Sequence, residues 1–118
     1  MPGQQGCYLR SYKDAALIRP GGSHRQMLSH VCLGARTGCE RLTIDVHRYG
    51  AGAHSITNVH DNCEQVYIVI GGEGEATVSG QTRKVCEGSV VFIPRNAPHS
   101  IRSTGAGELT LVFVSVSL

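Results

Sequence analysis

The chain has 118 residues, 41% of them hydrophobic and 17% charged, with 11 Lys and Arg against 9 Asp and Glu for a net charge of +2. That length holds one domain rather than two. The composition excludes a disordered chain and a nucleic-acid surface built on net charge, and no apolar run approaches the ~18 residues of a membrane helix.

Residues 1–25 read as an irregular lead-in, with a short helical or extended piece over Ser11–Ile18 closed by Pro20-Gly21-Gly22. The opening MPGQQGCYLRSYKD carries no apolar run, so no signal peptide is expected. Cys7, Cys32, Cys39, Cys63 and Cys86 form no C-x-x-C pair and no zinc-finger spacing, and an odd number cannot pair completely. Reduced thiols and a cytoplasmic location are the simplest reading.

From Arg41 to Tyr49, Leu42, Ile44 and Val46 alternate with Thr43, Asp45 and His47, the pattern of a strand with one buried face. Gly50-Ala51-Gly52 is expected to end it. Glu64–Ile70 is a second strand, stopped by Gly71-Gly72. If Glu64, Val66, Ile68 and Ile70 face the interior, Gln65, Tyr67 and Val69 face out. Ala76–Val78 and Thr82–Val85 flank the hairpin signal Ser79-Gly80-Gln81. Ser89–Ile93, His99–Arg102 and Leu109–Val116 complete the strands, with turns at Pro94–Pro98 and Ser103–Gly107. No amphipathic helix of ten residues is found, and 15 glycines punctuate the whole chain. Short strands at regular spacing indicate an all-β sandwich or barrel.

The chemistry-bearing run is Asn58-Val59-His60-Asp61-Asn62-Cys63-Glu64. Asn58 and His60 share a face if the segment is extended. On a straight strand Glu64 lies ~13 Å from His60, so a bend at the turn pair Asp61-Asn62 is needed to bring it back. His99 follows the turn Pro94-Arg95-Asn96-Ala97-Pro98. Two histidines and a carboxylate converging would form a three-ligand metal site with open positions. A lone His-x-x-x-Glu in a β protein is more often a surface pair; the frame around these residues changes that balance.

That frame resembles the cupin superfamily. Gly52, Asn58, His60, Glu64 and Gly71 match the spacing G-x5-H-x-H-x3-E-x6-G, and Gly88, Pro94, Asn96, His99 and Ser103 match G-x5-P-x-G-x2-H-x3-N. Asn58 stands where the family has its first metal histidine, Asn96 replaces a glycine, and Ser103 replaces an asparagine. The resemblance implies a jelly-roll barrel, the double-stranded β-helix, over residues 41–118, with residues 1–40 as a lead-in whose edge strands pack on it. It implies His60, Glu64 and His99 as metal ligands, with Asn58 as a fourth, holding a divalent transition ion such as Fe, Zn, Mn or Ni. It also implies a homodimer acting on a small organic molecule. Two functions follow. One is metal-dependent chemistry of the dioxygenase, isomerase, lyase or cyclase type. The alternative is a non-catalytic small-molecule-binding cupin with a degraded metal site. His54 reads as a rim residue, and His24, His30 and His47 as surface or partly buried polar groups. Alternation turns Cys63 away from the site, and Cys86 packs as a small hydrophobe.

Overall fold

A computed structural model describes residues 11–20 and 24–118. Residues 1–10 with Cys7, the Gly21-Gly22 stop and the side chain of His24 lie outside the described part. The strands are β1 (Ala16–Ile18), β2 (His24–Leu33), β3 (Leu42–Ser55), β4 (Cys63–Gly71), β5 (Glu73–Val78), β6 (Gln81–Cys86), β7 (Val90–Ile93), β8 (His99–Ser103) and β9 (Leu109–Ser117). Helical structure among the described residues is confined to two 3-10 turns, Tyr12–Asp14 and Ala35–Thr37.

All pairings are antiparallel, and the main path of the sheet runs β6-β5-β8-β3-β9-β4-β7. The sheet curls into a jelly-roll barrel, which leaves β6 and β7 as its free ends. β2 pairs with β3 and carries β1 on its other side, so the lead-in contributes two strands to the sheet. The interior is closed by Tyr49, Tyr67, Val69, Ile93, Ile101, Leu109 and Leu111, each at most 5% exposed.

Three readings of the strands change in the folded chain. β3 does not end at Gly50-Ala51-Gly52 but continues to Ser55, where His54 pairs with Arg102 of β8. Gly52 sits at φ +75, so the strand bends there through a conformation that glycine adopts without strain. Second, β3 is buried on both faces. Tyr49 and His47 point inward, while Val46 on the opposite face is covered by the segment carrying Tyr12 and Cys32.

The third change is in β4. Cys63, Gln65, Tyr67 and Val69 are buried, and Glu64, Ile68 and Ile70 are exposed. This inverts the expected facing of the strand, and it places Cys63 on the inward row. Two large apolar side chains, Tyr67 and Val69, drive the choice, because a one-residue change of phase would move the whole row to water. Cys86 is exposed rather than packed. The Ser79-Gly80 hairpin forms as expected: both residues have positive φ, 49° and 81°, the type I′ turn that matches strand twist.

Candidate functional site

One end of the barrel holds a partly open cavity of about 200 Å3 lined by His47, Asn58, His60, Gln65, Tyr67, His99 and Phe113, of which His60 is exposed to solvent. Four strands supply five of these residues. β3 presents His47, β4 presents Gln65 and Tyr67, β8 begins with His99, and β9 presents Phe113. Asn58 and His60 come from the segment joining β3 to β4.

Backbone hydrogen bonds lace that segment to the loop before β8. Asn58 N–H donates to the His99 carbonyl and His99 N–H to the Asn58 carbonyl, each at 2.9 Å, and Asn96 N–H donates to the His60 carbonyl at 2.6 Å. Asn96 reaches this position with φ 69, a conformation that asparagine tolerates far better than most side chains. The two imidazole rings therefore stand with centroids 5.4 Å apart. Asn58 Nδ2 donates to the Ile56 carbonyl at 3.2 Å.

His99 is 3% exposed. Its Nδ1 lies 3.0 Å from the Ala97 carbonyl. A carbonyl only accepts, so Nδ1 carries the proton and Nε2 keeps a lone pair. Burial lowers the His99 pKa; the Ala97 bond opposes this and His60 adds to it. The ring is thus a neutral acceptor. Burial also pushes the Tyr67 hydroxyl pKa well above its ordinary range, so Tyr67 stays protonated. Tyr67 meets His99 edge-on at 6.4 Å and lies tilted to Phe113 at 5.8 Å, and His47 stacks on Phe113 at 4.9 Å. Gln65 is 6% exposed, and its Oε1 has no hydrogen-bond partner among the described residues.

The structure therefore brings together Asn58, His60 and His99, and it places Glu64 elsewhere. Glu64 is exposed on the outer face of β4, opposite Val116 in register, and its neighbour Gln65 faces the cavity instead. The bend at Asp61-Asn62 occurs, but strand alternation after it sets Gln65, not Glu64, inward. His54 is exposed and lines a separate groove with Glu75 and Arg102. Four cavity residues escape the sequence reading: His47, Gln65, Tyr67 and Phe113. For Gln65 and Tyr67 no local signal decides, because β4 carries an apolar row on either phase.

The donor set of the cavity is three imidazoles, of His47, His60 and His99, and two carboxamides, of Asn58 and Gln65. Among the described residues no group of three or more His, Cys, Asp or Glu is placed to hold a metal ion. Cupins commonly bind transition metals, and three histidines alone can hold zinc, but these three rings are not placed to share one ion, and no carboxylate or thiolate lines the cavity to add charge. The residues present here do not fit a tightly held divalent ion. A larger groove of about 600 Å3 between β5, β6 and β7 carries Arg83 and Lys84 but no histidine or carboxylate, so the chemistry concentrates in the smaller cavity.

A small all-β jelly roll with histidines converging at one end defines a class, and comparison with known proteins agrees. The Cupin domain family (Cupin_2) matches residues 45–115, more than half of the chain, and the chain belongs to this family. Among solved structures, a protein of Thermotoga maritima described as a predicted oxalate decarboxylase superposes with a TM-score of 0.86 at 18% identity, covering 94% of this chain and 100% of that one. The polyketide cyclase RemF of Streptomyces resistomycificus gives 0.83 at 17% identity over 94% of this chain and 80% of its own. The Cnp3 cupin domain of Schizosaccharomyces pombe gives 0.78 at 18% identity over 92% and 72%. At these identities the likeness is one of fold. No curated protein matches the chain. No helix of the described residues is long and apolar enough to cross a membrane.

Proposed function

We propose that the protein is a small-molecule-binding cupin whose cavity works without a tightly held metal ion. One observation carries this reading: the inward position on β4 is Gln65, a neutral amide, while the carboxylate of Glu64 points to solvent. Of the two functions implied by the family resemblance, this favours the second. The alternative, metal-dependent chemistry on His60, Glu64, His99 and Asn58, requires Glu64 to leave the outer face of a nine-residue strand. That would turn Tyr67 and Val69 out of the core. Neighbours of this fold that include a polyketide cyclase support a small organic occupant. The lone pair fixed on His99 Nε2 also supports metal-free proton transfer from a bound molecule as a second reading.

The test is metal content after purification without chelators, followed by titration with zinc, nickel, manganese and iron(II). The expected result is a small fraction of an equivalent as purified and only weak uptake. One firmly held equivalent per chain overturns the proposal. The reading also takes the protein as a homodimer, cytoplasmic, without nucleic-acid or membrane partners. The homodimer uses the outer face of β4 and β7, where Ile68, Ile70, Val90 and Phe92 are exposed.

A further inference from the structure

The strongest unexplained feature of the cavity is its combination of neutral polar groups with aromatic walls. None of the seven lining residues is Lys, Arg, Asp or Glu. Five carry rings. Gln65 is held almost entirely out of solvent with its Oε1 unpartnered. A buried amide oxygen without a partner is a standing energetic penalty unless an occupant relieves it. The terminal torsion of a glutamine is soft, so the amide turns toward the cavity with little strain. His99 offers a second acceptor, because its tautomer is set by the Ala97 carbonyl.

We infer that the cavity selects an uncharged, single-ring aromatic molecule bearing a hydroxyl or ring N–H, which donates to His99 Nε2 or Gln65 Oε1 while the ring packs against Tyr67 and Phe113. This deepens the proposed function and rests on it. The size agrees: a cavity of about 200 Å3 is somewhat larger than the ~150 Å3 cavity that takes benzene. A hydroxyl donates and accepts, so it satisfies the amide oxygen or the imidazole and also takes the Gln65 N–H. A carboxylate meets only neutral donors, the Tyr67 hydroxyl and the Gln65 N–H, beside two lone pairs and no fixed cation, and an ammonium meets no carboxylate. Either would be desolvated without a counter-charge.

The experiment is a heteronuclear NMR titration of the full chain with phenol, anisole, benzoate, benzylamine and cyclohexanol, each read at the His99 ring nitrogens and the Gln65 side-chain amide. Phenol is expected to shift both groups and to bind about tenfold tighter than anisole, which keeps the ring but lacks the donor. Benzoate, benzylamine and cyclohexanol are expected to bind at least as weakly as anisole. Gln65→Leu is expected to reduce phenol affinity and to narrow its advantage over anisole. Benzoate or benzylamine binding as tightly as phenol at these groups overturns the selectivity while leaving a small-molecule site. Silence of both groups to all five compounds overturns the inferred class of ligand. Uptake of a tightly bound metal, measured separately, overturns the reading beneath it.

Discussion

Gln65 and Glu64 are adjacent, differ by one group of similar size, and face opposite sides of β4. Their roles are separable by mutation. Gln65→Glu places a carboxylate among His60, His99 and Asn58 and creates a two-histidine, one-carboxylate set. Zinc or nickel affinity is expected to rise by more than about tenfold, and the added ion is expected to raise the Tm of the variant through binding linkage. Glu64→Gln is expected to leave metal affinity unchanged, because its side chain is solvated. Both are read by calorimetric titration and thermal melts. Asn58→His adds an imidazole where backbone pairing to His99 already holds the chain in place. It is expected to tighten metal more modestly than Gln65→Glu, since it supplies no charge, and most in combination with it. His99 sets a pH dependence. Its folded pKa lies below the ordinary 6.5 because burial disfavours the charged ring. Below about pH 6.5 the unfolded chain therefore binds the proton that the folded chain refuses. The stability contributed by neutral His99 is present above that pH, is lost as pH falls toward the folded pKa, and falls no further below it. Denaturant midpoints at pH 7.5 and 5.5 are expected to differ less in His99→Gln than in the wild type.

The elements hold this site through a few backbone positions that tolerate no side chain. The β4–β5 turn is one. Gly72 has φ +82, and a Cβ there would strike the Glu108 carbonyl oxygen and lie 2.8 Å from Leu109 Cα. Leu109 begins β9 and is fully buried. Gly72→Ala thus combines a strained backbone with a clash against a strand that must pair with both β3 and β4. A loss of about 2–4 kcal/mol is expected, seen as a lower denaturant midpoint. Gly80→Ala is a milder change: φ is +81 but the space around it is open, so about 1 kcal/mol is expected. The comparison separates backbone strain from steric collision. Ion pairs tie Arg102 of β8 to Glu75 of β5 at 2.6 Å and Arg48 of β3 to Glu108, just before β9, at 3.0 Å. These are largely solvated and contribute little to stability.

The outer surface of β4 and β7 bears on assembly. Ile68 lies opposite Val90 and Val66 opposite Phe92, with Phe92 54% and Val90 67% exposed. β7 is a free end of the sheet, and an apolar edge strand left in water invites pairing. A second copy related by two-fold symmetry would cover the same row on both partners. Phe92→Glu is expected to convert a dimer into a monomer by light scattering at micromolar concentration, with the fold retained by circular dichroism. A wild-type chain that is monomeric in the same measurement refutes the homodimer. Tyr67 and Val69 lie inside the barrel and take no part in this face.

Strand positions, the Ser79-Gly80 turn and the all-β class were legible because each depends on near neighbours: alternation, β-branched runs and glycine at positive φ. The convergence of Asn58, His60 and His99 was also legible, because paired backbone and the Asn96 turn are encoded by motif spacing. The facing of β4 was not. A strand of Glu64, Gln65, Val66, Tyr67, Ile68, Val69 and Ile70 offers an apolar row on either phase, so its own pattern is nearly symmetric. The tie is broken only when β9 and β7 pack against it, and Tyr67 and Val69 find the interior beside Leu111, Phe113 and Val91. His47 escaped for a related reason. Its strand looks one-sided until β2 and the Tyr12 segment cover Val46, and a second buried face then turns inward. Local chemistry determined which segments form strands and which residues approach one another. Long-range packing alone decided which of two adjacent side chains, a carboxylate or an amide, faces the cavity, because a period-two strand has two faces and only its partners choose between them.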